Sequence, residues 1–119
     1  MQMPIASARV LDRKAEIVAR LLTVLPADAV ISDPAETRAY ECDALSAYAC
    51  APMVAVLPRS TAEVAAVLRI CHQEGVPVVP RGSGTSLAGG ALPTADCVIL
   101  GVARMNAVLE TDYDNRFIR

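Results

Sequence analysis

One stretch concentrates the chemistry of this chain: Pro80-Arg81-Gly82-Ser83-Gly84-Thr85-Ser86-Leu87-Ala88-Gly89-Gly90. It holds four glycines, two serines and one threonine, and an arginine leads it. Glycines admit positive φ and let a ligand come close to the main chain. Successive amide N–H groups in such a turn make a concave anion site. The hydroxyls of Ser83, Thr85 and Ser86 add donors, and Arg81 adds positive charge. Placed after a buried strand, that combination suits a diphosphate. A glycine-rich connection with no ligand is the plain alternative.

Spacing disfavours two familiar phosphate loops. The dinucleotide pattern GxGxxG, begun at Gly82, needs a third glycine where Leu87 stands. The nucleotide-triphosphate pattern GxxxxGK[ST] fits Gly84 and Gly89, but Gly90 occupies the lysine position.

Nothing else in the sequence makes a reactive cluster. Cys42, Cys50, Cys71 and Cys97 are widely and irregularly spaced, so no zinc or iron–sulfur site is expected. They read as buried thiols serving as small apolar residues. His72 is the sole histidine, and it points about 100° away from Cys71 on a helix. It is expected to face solvent. Arg59 and Arg69 are further cations, read as surface residues.

The elements that must position the loop follow from periodicity. Val10, Leu11, Ile17, Val18, Leu21, Leu22 and Leu25 give a helical stripe over residues 9–25, which Pro26 ends. Asp33 caps a short helix from Pro34 that runs to Tyr40. Residues 53–57 form a short apolar run between Pro52 and Pro58, which predicts a buried strand. Ser60 and Glu63 open the clearest helix, with Val64, Val67, Leu68 and Cys71 on its buried face. Gly75 and Pro77 stop it, and Val76–Val79 predicts a second strand. Strand, helix and strand make a βαβ unit with a parallel pair. Cys97–Leu100 predicts a third strand and Ala107–Glu110 a fourth. Asp112–Asn115 reads as a turn, and Phe117-Ile118 begins a further strand. A chain rarely stops at the start of a return arm, so truncation of a longer product is expected.

Bulk properties bound the rest. Hydrophobic residues are 54% and charged residues 20%, which suits one small folded unit. Much of the apolar share is alanine and aromatics are only 3%, so a thin core is expected. A large exposed apolar face would point to a missing segment or subunit. The net charge of −2 disfavours a nucleic-acid groove or an anionic membrane surface. No apolar run approaches the ~20 residues that span a bilayer. Met1-Gln2-Met3-Pro4 lacks signal-peptide zones. The expected location is the cytoplasm, with peripheral attachment to a membrane left open.

The run Val78–Ala91 resembles the flavin diphosphate loop of the FAD-linked oxidases of the vanillyl-alcohol oxidase and p-cresol methylhydroxylase (PCMH) type. Val56–Val64 resembles the strand–helix entry of the same domain. Tyr40–Tyr48 and Arg104-Met105-Asn106 resemble the glycolate oxidase and D-lactate dehydrogenase branch of these enzymes. The similarity runs roughly from residue 25 onward.

The resemblance implies an α+β fold, the first lobe of a PCMH-type FAD-binding domain. Residues 1–47 would be a helical lead-in, and residues 48–119 the first half of the FAD-binding domain. It places the diphosphate contacts on Arg81, Gly82, Ser83, Gly84, Thr85 and Ser86, mostly through backbone. Pro80, Gly89 and Gly90 would shape the loop or approach the flavin. Some relatives attach flavin covalently through a histidine in this loop; Thr85 holds the matching position, which implies noncovalent FAD. The implied activity is oxidation of a 2-hydroxy acid, glycolate or D-lactate in type, to the 2-oxo acid. No metal is implied, and the catalytic residues of the family match nothing in this chain. A second lobe or other oxidase subunits are the implied partners. A noncatalytic truncated lobe and one chain of a split flavoprotein remain open alternatives.

Overall fold

The computed structural model describes residues 4–119. The signal-peptide reading of Met1-Gln2-Met3 lies outside the described residues.

The chain begins with two short helices, α1 (Ala8–Leu11) and α2 (Lys14–Leu21), where periodicity predicts one. The break falls at Asp12 and Arg13, neither of them a strong helix breaker. Tertiary anchors on both sides override propensity there. The Ser7 N–H donates to Asp96 Oδ2 (2.8 Å), and Arg13 pairs with both Glu16 and Glu74. Helical hydrogen bonds then continue to Leu25, and Pro26 ends the run as expected. Val10, Ile17, Leu21 and Leu25 are buried, whereas Leu11 and Leu22 face outward.

A 3-10 turn (Ala27–Ala29) leads into β1 (Val30–Ile31), a strand that periodicity does not detect because it has two residues. Asp33 caps α3 (Pro34–Thr37) as expected, its Oδ1 accepting from Ala35 and Glu36 N–H. A 3-10 turn (Arg38–Tyr40) completes the segment.

β2 (Val54–Val56) precedes α4 (Thr61–Glu74). Ser60 Oγ accepts from Glu63 N–H (3.2 Å). The returning Glu63 carboxylate takes Arg59 N–H (2.7 Å), one residue before the capping residue. Gly75 ends the helix at φ 66. The buried face of α4 is rotated from the expected one. Val67, Ile70 and Cys71 are buried, Val64 is half-buried, and Leu68 is 45% exposed. Glu74 extends that face, and its carboxylate is held by Arg13 and Arg20, tying α2 to α4.

β3 (Val78–Arg81) starts two residues later than expected, and Arg81 is its last residue. β4 (Val98–Gly101) follows the loop. The sheet order is β1-β2-β4-β3. β1 is antiparallel to β2, while β2 and β3 run parallel to β4. The βαβ crossover is therefore present, but β4 lies between the two strands that were expected to pair directly. Pro80 is tolerated because β3 is an edge strand and its missing N–H faces away from the ladder.

β4 is buried along its whole length, as suits a strand covered on both faces. Side-chain alternation divides it. Val98 and Leu100 join Val54, Val56, Val67, Ile17 and Leu21 under the helices. Ile99 joins Ala55 and Cys97 on the other face, against Ile31, Tyr40 and Val79. The lead-in thus contributes to both cores.

The chain ends in a hairpin of β5 (Thr111–Asp112) and β6 (Phe117–Ile118), with Arg116 at φ 57 in its turn. The strand expected at 107–110 lies further downstream, although Glu110 still exchanges backbone bonds with Arg119. Asp112 Oδ1 accepts from Asn115 N–H (2.8 Å), which holds the expected turn. Val108, Leu109, Tyr113 and Ile118 are exposed on this hairpin, the kind of uncovered apolar surface that composition raised.

Candidate functional site

The parallel strands β2, β4 and β3 all end on one edge of the sheet, and the glycine-rich loop leaves that edge from β3. Its start is fixed by the Arg81 carbonyl, which accepts from Val102 N–H (3.0 Å) beyond the end of β4. Its far end is anchored by buried Ala91, Leu92 and Pro93. Gly84 and Gly89 adopt φ values of 77 and 75, the left-handed turns that glycine makes at little cost. Leu92 N–H closes the second turn on the Gly89 carbonyl (3.2 Å).

Between these anchors lies an open concavity of about 300 Å³. Pro80, Gly82, Ser83, Gly84, Thr85, Ser86 and Gly90 line it with Ala91. Seven of the nine expected site residues therefore converge. Arg81 and Gly89 do not line it; Gly89 shapes the turn behind it.

Among the described residues, no acceptor takes the backbone N–H of Ser83, Gly84, Thr85 or Ser86. Four successive amides are thus available at the rim, alongside the hydroxyls of Ser83 and Thr85, which lie 3.3 Å apart. The Cα positions of Gly82 and Gly90 face open space, so a ligand can approach the main chain there. Donors in excess, without a nearby carboxylate lining the concavity, suit an anion.

Arg81 takes a different position from the one its charge suggests. Its Nη1 donates to the Cys42 carbonyl (2.7 Å), and its guanidinium lies 5.8 Å from the centre of the Tyr40 ring. The loop is also tied to this lead-in segment by Ala44 N–H, which donates to the Ser86 carbonyl (3.1 Å). Between them sits Asp43, which is buried; its Oδ1 accepts from Leu45 N–H (2.9 Å) and its Oδ2 has no partner among the described residues. Residues 40–45 are the part of the site that spacing missed. The stretch has no clean period, and only its family resemblance marked it.

The other expected features divide. His72 is exposed on α4, as expected. Cys71 and Cys97 are buried thiols, and burial pushes Cys71 up to about 11 and raises Cys97. Cys42 and Cys50 are half-buried, so the buried-thiol reading does not extend to them. Among the described residues no group of histidine, cysteine and carboxylate side chains could hold a metal ion, and no helix is long and apolar enough to cross a membrane.

A family model described as an FAD binding domain matches residues 52–119, more than half of the chain. The chain belongs to the FAD binding domain family. Glycolate oxidase subunit GlcD of Escherichia coli (strain K12) is 42% identical over 108 residues, covering 91% of this chain and 21% of that protein. A D-lactate dehydrogenase of Archaeoglobus fulgidus is 43% identical over 63 residues, covering 53% of this chain and 14% of that one. The structure of p-cresol methylhydroxylase superposes with a TM-score of 0.73 at 22% identity, covering 90% of this chain and 21% of that one. That likeness establishes the PCMH-type fold. This FAD binding domain chain spans about a fifth of the length of the GlcD protein it matches. Its loop fits the cofactor of the family: the free amides, the open glycine faces and the hydroxyl rim are what a diphosphate requires.

Proposed function

We propose that this chain is the diphosphate-binding lobe of a flavoprotein that oxidises a 2-hydroxy acid, of the glycolate or D-lactate type, to the 2-oxo acid. The observation that carries the cofactor half is the row of four unpaired amides from Ser83 to Ser86 around the concavity. The substrate half rests on the relatives, named as a glycolate oxidase subunit and a D-lactate dehydrogenase.

Gly82, Ser83, Gly84, Thr85 and Ser86 hold the diphosphate, chiefly by backbone N–H, with the Ser83 and Thr85 hydroxyls in support. Pro80 and Gly90 keep the approach to the main chain open, and Gly89 sets the turn. Arg81 supports the loop from beneath. Bound FAD supplies the acceptor for the hydride that leaves the hydroxyl-bearing carbon. The role of this chain is to bind and orient that acceptor. Attachment is noncovalent: Thr85 holds the position at which some relatives carry a histidine, and the lining residues include no imidazole or thiol. The protein works in the cytoplasm, and further lobes or subunits complete the site, a reading supported by the name of GlcD as a subunit.

Equilibrium binding separates the ligand parts. FAD and ADP should compete for the chain, and riboflavin, which lacks phosphate, should bind far more weakly. Equal affinity for riboflavin and FAD would remove the diphosphate assignment. For the substrate, glycolate or D-lactate should bleach the flavin absorbance of the product isolated from its native source. Absence of bleaching by any 2-hydroxy acid would reject that half alone.

A further inference from the structure

We propose that Arg81 is a positioning residue that braces the glycine-rich loop against Tyr40 and Cys42, and that it is not a cation for the diphosphate.

Two parts of the chain meet its guanidinium: the strap of residues 40–45, through Tyr40 and Cys42, and the loop itself, at Gly84. Nη1 donates to the Cys42 carbonyl at 2.7 Å. The plane stands 5.8 Å from the centre of the Tyr40 ring, within cation–π range. The far end lies over Gly84, where a Cβ would come within 2.5 Å of Cζ. Arginine suits this task because its rigid planar fork can donate and stack at once, which a lysine ammonium cannot do. The strap that receives it is itself fixed, since Cys50 N–H donates to the Glu41 carbonyl (2.8 Å) and Leu45 N–H to Asp43 Oδ1. Ala44 N–H adds the second tie at Ser86. The strap therefore holds the loop at its base, through Arg81 at the end of β3, and at its middle, through Ser86.

The consequence is preorganisation. A loop with this many glycines has much conformational freedom to lose when it closes on a ligand. Bracing moves that loss from the binding step to folding, which raises affinity without a new ligand contact. Tyr40 and Cys42 lie outside the matched region of residues 52–119, so the lead-in becomes part of the binding machinery.

The effect on FAD rests on the proposed function; the brace itself does not. Backbone amide relaxation of the ligand-free chain tests the brace directly. Residues 82–86 should give order parameters of about 0.85 in the wild type and below about 0.6 in Arg81→Gln and Tyr40→Leu, with β4 unchanged. Tyr40→Phe keeps the ring and should keep the loop rigid. Should Arg81→Gln fail to fold, the Tyr40 pair reads the same contact. A loop equally rigid in both Tyr40 variants, or equally mobile in the wild type, overturns the brace. In FAD titrations, Arg81→Gln should weaken binding about tenfold with the wild-type salt dependence. A loss of salt dependence in Arg81→Gln would make Arg81 a diphosphate cation and overturn the proposal. Failure of the wild type to bind FAD, with the relaxation pattern intact, would reject the cofactor reading and leave the brace standing.

Discussion

The guanidinium of Arg81 occupies the space in which a side chain at position 84 would begin. A Cβ on Gly84 would stand 2.5 Å from the Arg81 Cζ and closer still to Nη2. Gly84 also holds φ 77, which an L-residue adopts at a cost of roughly 1–2 kcal/mol. Two independent requirements thus select glycine. Gly84→Val is expected to displace Arg81, distort the loop and abolish measurable FAD binding. The core, which lies elsewhere, should keep its circular dichroism and cooperative unfolding. Wild-type FAD affinity in Gly84→Val would mean that the loop does not hold the ligand.

Asp96 gives a pH signature. Burial works against its charge, but the Ser7 N–H and the neighbouring Thr94 outweigh it, and its pKa is lowered. A carboxyl with a depressed folded pKa contributes stability that is full above its unfolded value of about 3.9 and is lost as pH falls through the folded value. Asp96→Asn should cost about 1–2 kcal/mol at neutral pH. The difference between variant and wild type should shrink below about pH 4. Urea unfolding at neutral pH and at acid pH measures it. A constant difference across that range would show that the charge is irrelevant.

Glu74 is the link between the first helices and α4. Its carboxylate is nearly buried and receives both Arg13 and Arg20, which are partly exposed. Glu74→Ala should destabilise by about 1–3 kcal/mol, less than a fully buried pair because solvent screens the arginines. Arg13→Ala and Glu74→Ala share one network and should be less than additive in combination. Strict additivity in denaturant unfolding would argue that the ion pairs carry no coupling.

The thiols should separate by reactivity. Cys71 is buried with its pKa pushed up to about 11, and Cys97 is buried and raised. A water-soluble disulfide reagent at mildly alkaline pH should modify Cys42 fastest in the folded chain. Cys50, which is half-buried and also raised by burial, should follow, with Cys71 and Cys97 reacting only on unfolding. Four equal rates would indicate that the packing on both faces of β4, around Cys71 on one side and Cys97 on the other, is open.

Much of this fold was legible in the sequence because it follows short-range rules. Asp33 before Pro34, Ser60 before Glu63 and Gly75 before Pro77 mark helix ends by hydrogen bonding and steric exclusion, and all three behave accordingly. The features that escaped depend on distant partners. The break at Arg13 reflects Asp96 and Glu74, far away in sequence. The insertion of β4 between β2 and β3 is decided by sheet assembly and leaves no periodic trace. The rotation of α4 that buries Ile70 and exposes Leu68 depends on what packs beneath it. The loop itself was legible, because its glycines and hydroxyls announce a free main chain. The role of Arg81 was not, because charge alone does not say where a guanidinium points.

On the proposed function, the amides of Ser83 to Ser86 hold the diphosphate of FAD. Titration of the isotopically labelled chain with FAD, followed by amide chemical shifts, tests it most directly. Ser83, Gly84, Thr85 and Ser86 should move first and furthest, ADP should reproduce the change, and denaturation should release all the flavin. Saturating FAD that leaves these four amides unmoved, or shifts that centre on another surface, would contradict it.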